Sequence, residues 1–303
     1  MNHQTSRQVV VRVPGGPESL ELVDVPVAEP GPGQVRIAVA AAAINPLDLD
    51  VASGRLPVPV RPGVHVALGR DFSGIVEATG DDVALAVGTR VAGFVDGADP
   101  ERGSHADRLV VDASDVAVLP DGLCPNVAAS APLGLTTAAQ VAEIVGAAPE
   151  EGRRLLVTGA AGVVGAAVAV LAREQGWQVT GLARARDEAF VRGLGVDHAT
   201  ATTPGWDVVV DTAVMGGEAL SLVRDGGRLV GTQPGREPRA ERGVDVGSVV
   251  SRPDGPLLAR LLARVAAGTL PARIHAAMPL TEVVDAYRLL AKGGVRGRVV
   301  VLP

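Results

Sequence analysis

The sequence is poor in the residues that build covalently cross-linked or cysteine-ligated scaffolds. Cys124 is the single cysteine among 303 residues. A disulfide within the chain and any metal site with several cysteine ligands are therefore excluded. A reducing, cytoplasmic environment is the corresponding expectation.

Positive charge and aromatic rings are also scarce. Arginine and lysine together number 28 against 34 aspartate and glutamate residues, which gives a net charge of -6, and Lys292 is the only lysine. Because nucleic-acid surfaces need clustered positive charge, no nucleic-acid partner is expected. Only six side chains are aromatic: three Phe, two Trp and one Tyr.

Long apolar runs are missing as well. Gly, Pro or a charged residue interrupts every apolar stretch well before the roughly 18 residues that a membrane span requires. The first ten residues, MNHQTSRQVV, contain no apolar core of a signal peptide. We expect a soluble cytoplasmic protein without a membrane partner.

The pattern of the chain changes after about residue 120. Before it, short apolar stretches alternate with Gly, Pro and Asp clusters, which is typical of antiparallel β-structure. From residue 154 onward apolar strands alternate with helical segments, which predicts a parallel sheet covered on both faces. The fold class is therefore α/β, with domains at 1–120 and 121–270, and a last strand within about 271–303 that completes the first domain.

A glycine-rich turn follows the first strand of the alternating part. The sequence TGAAGVVG continues the apolar run Leu155–Val157 and opens an alanine-rich helix. This AxGxxG form of the dinucleotide fingerprint predicts a nucleotide site, because a glycine lets the backbone approach the pyrophosphate and a second lets the helix pack on its strand. The predicted binding residues of the turn are Ala160, Gly162, Val163, Val164 and Gly165.

The next strand ends in arginines. NAD-binding units carry an acidic residue near this point, which accepts from the ribose 2′-hydroxyl. Here Arg184 and Arg186 follow the strand and no acid stands at its tip. Guanidinium groups bind a 2′-phosphate, so we predict NADP(H) rather than NAD(H). In so arginine-rich a chain, the alternative that one of the two is only surface stays open.

Several motifs in order resemble one family. They are AAAINPLDLDVASG (41–54), LGRDFSGIVEATG (68–80), VAGFVDG (91–97), GSHADRLVV (103–111), AASAPLGLTTAAQV (128–141), the glycine turn, GLGVDHA (193–199) and VRGRVVV (295–301). With this layout the chain resembles the zinc-free quinone oxidoreductase branch of the medium-chain dehydrogenase/reductase superfamily. The resemblance implies a GroES-like substrate domain and a Rossmann domain with the active site in the cleft between them, and a possible homodimer.

The resemblance also addresses a metal. Zinc-dependent relatives place a Cys at the position of Asn45 and a His-Glu pair where this chain has Arg70 and Asp71. Without those ligands we expect no catalytic zinc. His65, His105 and His198 lack metal-ligand spacing and are interpreted as surface or loop residues.

The same resemblance implies the remaining site residues. Asn45 is expected beside the nicotinamide, bonding its ribose or the substrate, and Asp48 could orient it or simply cap a helix. Thr136 matches a position next to the nicotinamide ribose, unless its hydroxyl only bonds a carbonyl of its own helix. Arg298 matches a cation that reaches the cofactor, with a solvated arginine as the alternative.

Three small residues are predicted at the cofactor from their place in the sheet. Ala213, Gly231 and Thr232 follow or end predicted parallel strands, where open α/β sheets bind ligands. Their small side chains would let a cofactor lie against the backbone.

Together these features predict an NADPH-dependent, zinc-independent oxidoreductase that transfers hydride to a small electrophilic acceptor, a quinone or a carbonyl-conjugated alkene. The alternatives are an enoyl or alkenal double-bond reductase of secondary metabolism and a non-catalytic NADPH-binding sensor. Asp50 stands where many such quinone reductases have Tyr, which weakens the quinone assignment. Phe72 and Phe94 are candidates to line the cleft, and Tyr287 is expected in the core.

Overall fold

The computed structural model describes residues 4–58, 64–97 and 99–303. Its strands are β1 (Thr5–Val11), β2 (Leu20–Pro26), β3 (Gln34–Ile44), β4 (Val66–Ala67), β5 (Asp71–Thr79), β6 (Arg90–Phe94), β7 (Arg108–Asp112), β8 (Val116–Val118), β9 (Arg154–Thr158), β10 (Gln178–Leu182), β11 (Asp197–Ala199), β12 (Trp206–Asp211), β13 (Val223–Gly231), β14 (Asp245–Ser248), β15 (Ile274–Pro279) and β16 (Arg298–Leu302). Its helices are α1 (Pro46–Ala52), α2 (Pro125–Ala129), α3 (Pro132–Val145), α4 (Val163–Glu174), α5 (Glu188–Gly193), α6 (Gly217–Leu222), α7 (Gly255–Ala266) and α8 (Val283–Lys292).

The chain divides into two compact units. Unit 1 comprises the chain up to Leu133 together with Pro253–Pro303, and unit 2 is Gly134–Arg252. The sequence prediction put these limits near residues 120 and 270. Helix α7 belongs to unit 1 because Gly255, at its start, lies so close to β8 that an added Cβ would be 2.4 Å from the carbonyl oxygen of Val116.

Unit 1 is built around β3, the longest strand. One sheet has the order β15-β16-β3-β5-β6-β8, with β7 also on β3, and a smaller sheet has the order β2-β1-β4. All pairs are antiparallel except β15 with β16. Alternate residues of the first half of β3, Val35 and Ile37 among them, enter a core that Phe72 and Tyr287 share. This period of two is what a half-buried strand requires.

Unit 2 is an open, entirely parallel sheet in the order β11-β10-β9-β12-β13-β14. Counted along the chain within the unit, this is the order 3-2-1-4-5-6 of doubly wound nucleotide-binding sheets. Its central strands are continuous apolar runs, Leu155–Val157 and Val208–Val210, because both faces are covered. The predicted α/β fold class is confirmed.

From β9 the sheet is extended on one side by β10 and β11, and from β12 on the other side by β13 and β14. The carboxyl ends of β9 and β12 therefore border a crevice of the kind in which such sheets bind ligands. In the part of the chain that the structure describes, no helix is long and apolar enough to cross a membrane.

Gly69 is required in unit 1 by close packing as well as by its backbone angle. Its φ is +94°, and a Cβ would lie 2.4 Å from Cδ2 of His105. Gly88 has a similar φ of +90° but nothing within 4 Å of a Cβ. We expect Gly88→Ala to cost about 1–2 kcal/mol through the backbone angle alone. Gly69→Ala should cost a further ~1–3 kcal/mol through overpacking.

Urea denaturation of both variants and the wild type measures these costs. Equal losses at the two positions would contradict the steric requirement at Gly69.

Candidate active site

Asn45 lies at the junction of β3 and α1 in unit 1. It is the N-cap of α1, with Pro46 in the first helical position, a place that suits proline because no backbone N–H is needed there. The side chain is buried, and its Nδ2 donates a hydrogen bond to Oδ2 of Asp71 at 3.0 Å. A second, long contact runs from Nδ2 to the carbonyl oxygen of Ala43 at 3.5 Å.

Asp48 lies in the first turn of α1 and is buried. Its Oδ2 accepts a hydrogen bond from the backbone N–H of Asn45 at 2.7 Å. This is the carboxylate half of a capping box, and it fixes the backbone at the point where β3 becomes a helix. Asp48 therefore caps α1, and its catalytic role stays a prediction.

Asp71 is a site residue that the sequence analysis did not select. It begins β5, pairs with Ala43 of β3, and is fully buried. Besides Asn45, it accepts a hydrogen bond at Oδ1 from the backbone N–H of Leu133 at 2.6 Å. Its backbone carbonyl accepts another from the hydroxyl of Ser104 at 2.9 Å. One carboxylate thus connects the first residues of α1 and α3.

Opposing effects act on the pKa of the Asp71 carboxyl. Burial raises the pKa of the Asp71 carboxyl to about 6, whereas Arg298 and the N–H groups of Leu133 and Asn45 act to lower it. Asp48, itself acidic, raises it further. Both protonation states of Asp71 are therefore accessible close to neutral pH.

Arg298 begins β16 and is buried, so the solvated alternative is wrong. Burial lowers the pKa of its guanidinium, while Asp71 and Asp48 oppose that effect. Its Nε has no hydrogen-bond partner among the described residues. Arg298 supplies the positive charge of this cluster, and its contact with a cofactor stays a prediction.

His105 lies in the loop before β7, as one of its two interpretations had it, but it is fully buried, so the surface interpretation is wrong. Its Nε2 lies 3.3 Å from the carbonyl oxygen of Ala43, and its Nδ1 lies 3.2 Å from the hydroxyl of Tyr287. Burial lowers the pKa of His105, which favours a neutral ring that donates to Ala43 and accepts from Tyr287. His105 and Tyr287 together support the end of β3 from the core. Tyr287 lies in this core, as expected.

The positions of zinc ligands in the relatives carry other chemistry here. Asn45 is bonded to a carboxylate, and the guanidinium of Arg70 donates to the backbone carbonyls of Val95 and Asp96. Within the described ranges, no group of three His, Cys, Asp or Glu side chains could hold a metal ion. An amide and a guanidinium occupied in this way do not form a zinc ligand set.

The glycine turn of unit 2 connects β9 to α4. A Cβ on Gly165 would lie 2.4 Å from the carbonyl oxygen of Gly159, so the helix can approach its strand only with glycine there. Gly162 is exposed and is the N-cap of α4. The half-exposed Val163 and Val164 form the first turn, whose backbone N–H groups suit an anion.

Ala160 has a different place from the rest of the turn. It is fully buried, and its backbone N–H donates to the carbonyl of Leu182 at 3.3 Å. A Cβ on Gly181 would lie 2.6 Å from the Ala160 methyl group. Ala160 therefore fixes the turn against β10.

Asp211, at the carboxyl end of β12, organises the neighbouring loop and was not selected from the sequence. Its Oδ1 accepts from the hydroxyl of Thr158 at 2.6 Å and its Oδ2 from the backbone N–H of Gly216 at 2.9 Å. The Thr158 hydroxyl oxygen also accepts from the backbone N–H of Ala213 at 3.2 Å. Val214, in the same loop, has a φ of +58°, a costly angle for a β-branched residue.

A small, open pocket lies at the carboxyl ends of β12 and β13. Gly231 and Thr232 line it together with Asp211 and Val214, whereas the methyl group of Ala213 is not part of the lining. The structure thus brings two of the three predicted strand-end residues to one pocket.

Arg184 and Arg186 follow β10 and are exposed. Arg184 is the N-cap of a short 3-10 turn, Ala185–Asp187. Neither guanidinium is paired with another described residue, so both are available to an anion.

Thr136 is fully buried in α3, and its hydroxyl has no hydrogen-bond partner among the described residues. The alternative, a bond to a carbonyl of its own helix, is therefore wrong. The next residue, Thr137, bonds the hydroxyl of Ser251 at 2.6 Å. A buried hydroxyl without a partner costs free energy unless a ligand satisfies it. This hydroxyl and the glycine cradle fit a dinucleotide.

Comparisons with known proteins agree with this geometry. Residues 31–121 match the family "Alcohol dehydrogenase GroES-like domain" and residues 175–301 match the family "Zinc-binding dehydrogenase". A solved quinone oxidoreductase from Coxiella burnetii is 26% identical, has a TM-score of 0.87, and is matched over 99% of this chain and 100% of that one.

Two curated relatives are much longer proteins. The pikromycin polyketide synthase component PikAII of Streptomyces venezuelae is 31% identical over 97% of this chain, which spans 8% of that protein. A mycocerosic acid synthase-like polyketide synthase of Mycolicibacterium smegmatis is 29% identical over 99% of this chain, which spans 15% of it. The chain therefore spans only a small part of each curated relative.

Gly162 tests the anion site at the start of α4. Its backbone angles are open to alanine, and the nearest atom to an added Cβ is 3.2 Å away. Gly162→Ala should fold normally but obstruct the approach of a pyrophosphate. We expect the Kd for NADPH to rise by about 10-fold or more.

Fluorescence titration with NADPH gives the Kd, and thermal unfolding checks the fold. Gly193→Ala, at the end of α5 with nothing within 4 Å of a Cβ, is the matched control. An unchanged Kd in Gly162→Ala would argue against the pyrophosphate site.

Asp71 should make stability depend on pH. Its pKa in the folded chain, about 6, is above the ordinary value of 3.8. Its contribution to stability is therefore fully present below pH 3.8 and is lost as the pH rises through about 6. At about 1.4 kcal/mol for each pH unit between the two values, the loss approaches about 3 kcal/mol.

The difference in free energy of unfolding between the wild type and Asp71→Asn, measured from pH 4 to 7.5, isolates this contribution. If the free energy of unfolding depends on pH in the same way in both proteins, Asp71 does not titrate in this range.

Proposed function

Because this chain belongs to the medium-chain dehydrogenase/reductase superfamily of oxidoreductases, in its quinone oxidoreductase-like branch, we propose that it is an NADPH-dependent, zinc-independent reductase. The proposed acceptor is a carbon–carbon double bond conjugated to a carbonyl group. Members of the superfamily bind NAD(P)(H). The observation that carries the proposal is the hydrogen-bonded pair of Asn45 and Asp71, which occupy positions where zinc-dependent relatives have metal ligands. The other unit of the same chain contains the glycine turn.

The acceptor must be electrophilic without help from a metal. A zinc ion polarises the oxygen in alcohol oxidation. The side chains at the corresponding positions here are an amide bound to Asp71 and a guanidinium bound to two carbonyls. A double bond conjugated to a carbonyl already accepts hydride at its β-carbon, so it suits this site.

Unit 2 provides the residues that would hold the cofactor. The backbone N–H groups of the first turn of α4 suit the pyrophosphate, Thr136 offers a free hydroxyl, and Gly231 and Thr232 line the pocket at the strand ends. NADPH supplies the hydride when bound. The chain's own contribution is binding, orientation and exclusion of water.

The distribution of aromatic rings favours an alkene over a quinone. Phe72 and Phe94, the candidates to line the cleft, are buried in unit 1. The other rings that are buried are Trp177, Trp206 and Tyr287. A flat quinone gains from stacking on an accessible aromatic side chain. Among the Phe, Trp and Tyr rings of the described residues, only that of Phe190 is partly exposed.

The relatives add support for acyl-type alkenes. Both curated relatives are polyketide synthases, matched over nearly this whole chain. We therefore place enoyl compounds first among conjugated acceptors. Asp50, at the position of the Tyr of many quinone reductases, is bonded to Arg55 at 2.7 Å.

Quinone reduction is the second candidate, favoured by the likeness to the quinone oxidoreductase from Coxiella burnetii. A panel of 2-enoyl thioesters, 2-alkenals and benzoquinones, followed by NADPH absorbance, separates the two. Oxidation of NADPH by the conjugated alkenes is the expected result. Tight NADPH binding without turnover on any acceptor would instead identify a non-catalytic sensor.

The exposed arginines after β10 test the choice of cofactor. In Arg184→Ala/Arg186→Ala, the loss of two charged hydrogen-bonding partners should weaken NADPH binding by about 10- to 100-fold. NADH binding should stay nearly unchanged, because NADH lacks the 2′-phosphate.

Titration of both cofactors measures the preference. Arg224→Ala removes an exposed arginine near the amino end of β13, where it pairs with Asp207, and should keep the preference for NADPH. If the double variant also keeps it, Arg184 and Arg186 are not the phosphate site.

A further inference from the structure

A turn shortly after β13 begins with a polar side chain, that of Gln233. Its backbone carbonyl accepts the N–H of Arg236 at 3.2 Å, which closes the turn Gln233-Pro234-Gly235-Arg236. Proline in the second place and a glycine with a φ of +83° in the third are typical of a type II turn. The sequence QPGR thus fixes the backbone of Gln233 close to the end of the strand.

Contacts on both sides hold this turn at the edge of the sheet. Glu237, which follows the turn, accepts a hydrogen bond from the hydroxyl of Ser248 at the end of β14. The hydroxyl of Thr232, which precedes the turn, donates to the backbone carbonyl of Asp211 at the end of β12 over 3.4 Å. Gln233 is therefore held at the carboxyl ends of β12, β13 and β14.

The side chain of Gln233 is half-buried and lines the small pocket at these strand ends. Gly231 and Gly247 line the same pocket, and a Cβ on either would meet no atom closer than 3.6 Å. The backbone of both glycines is therefore open to a flat group. The isopropyl group of Val214, 40% exposed, borders the pocket as well.

The amide of Gln233 is uncommitted, whereas the acids that line the pocket are bonded. Asp211 accepts from the hydroxyl of Thr158 and the N–H of Gly216, and Glu237 accepts from Ser248. No described residue forms a hydrogen bond with the side-chain amide of Gln233. The pocket thus contains one amide whose donor and acceptor are both available to a ligand.

The order of the sheet indicates which part of a dinucleotide reaches this pocket. Arg184 and Arg186, proposed for the 2′-phosphate of the adenosine half, follow β10, and the pyrophosphate suits the start of α4 after β9. β12 and β13 lie on the other side of β9 from β10. The nicotinamide half of NADP(H) is therefore expected on the side of the sheet where Gln233 lies.

We propose that Gln233 is a cofactor-binding residue whose side-chain amide recognises the carboxamide group of the nicotinamide ring. A primary amide offers an NH2 donor and a carbonyl acceptor, and the carboxamide offers the same two groups. Two such amides pair through two hydrogen bonds, in which each NH2 group donates to the other carbonyl oxygen. This inference rests on the proposed function, because that function supplies the nicotinamide cofactor.

Cofactor analogues test the pairing without any turnover. The 3-acetylpyridine analogue of NADP+ has a methyl group in place of the carboxamide NH2, so it can accept a hydrogen bond but donates none. In calorimetric titrations the wild type should bind NADP+ about 10-fold more tightly than this analogue, the worth of one hydrogen bond. Gln233→Leu should bind NADP+ about 10-fold more weakly than the wild type and should bind both dinucleotides alike.

Gln233→Glu separates the two hydrogen bonds of the pairing. A carboxylate still accepts from the NH2 group of the carboxamide but donates nothing to a carbonyl oxygen. This variant should therefore again prefer NADP+ over the acetylpyridine analogue by about 10-fold or more. A Gln233→Glu protein that binds the two alike contradicts the pairing.

Two controls accompany these titrations. 2′,5′-ADP carries only the adenosine half, so its Kd should be the same in the wild type and in Gln233→Leu. Gln178→Leu makes the same substitution at an exposed position at the amino end of β10 and should keep the preference for NADP+.

The outcomes distinguish this inference from the proposed function. A preference for NADP+ that persists in Gln233→Leu, or an equal loss of 2′,5′-ADP binding in that variant, overturns the role of Gln233. A wild type that binds neither NADP+ nor 2′,5′-ADP overturns the nucleotide site and this inference together. A preference that Gln233→Leu abolishes, in a protein that reduces no acceptor, supports the role of Gln233 and rejects the reductase function.

Discussion

The hydrogen bond between Asn45 and Asp71 is the interaction on which the candidate site of unit 1 depends. A carboxylate without solvent is tolerated only where donors and a counter-charge surround it. Here the donors come from α1 and α3, and the counter-charge comes from β16. Three elements far apart in sequence are therefore held to one acidic side chain at the start of β5.

Unit 2 meets a different constraint, the close approach of a helix to its strand. Gly165 and Gly181 leave no room for a side chain, so α4 and β10 lie close to the turn after β9. Asp211 then fixes the loop after β12 through Thr158 and Gly216. Polar groups at strand ends thus hold the loops, while the apolar strands hold the sheet.

Much of the fold could be predicted because its signals are local. Apolar runs alternating with helices specify a parallel sheet, and TGAAGVVG specifies the turn that opens α4. Asp211 gave a usable signal as well, since an acid that ends a buried apolar strand must lie at the ligand edge of such a sheet.

The cluster around Asp71 could not be predicted in this way. Its members lie at positions 45, 71, 105, 287 and 298, and only the pairing of β3 with β5 and β16 brings them together. In the sequence, no local pattern distinguishes His105 and Asp71 from other polar residues. Their burial is a property of tertiary packing, and burial is what changes their chemistry. Phe72 and Phe94 are placed in unit 1 by the same long-range pairing, which periodicity alone does not reveal.

The pairing of β16 with β3 has a consequence for synthesis of the chain. Unit 2 is one continuous segment, whereas unit 1 needs residues from both sides of it. As a ribosome releases the chain from its amino end, Asp71 emerges long before Arg298, its counter-charge. Domains fold as units during synthesis, so unit 2 can fold first. Unit 1 is still incomplete at that stage, because Arg298, the counter-charge of Asp71, has not yet emerged. β16, which emerges after unit 2, then pairs with β3 and brings the counter-charge to Asp71.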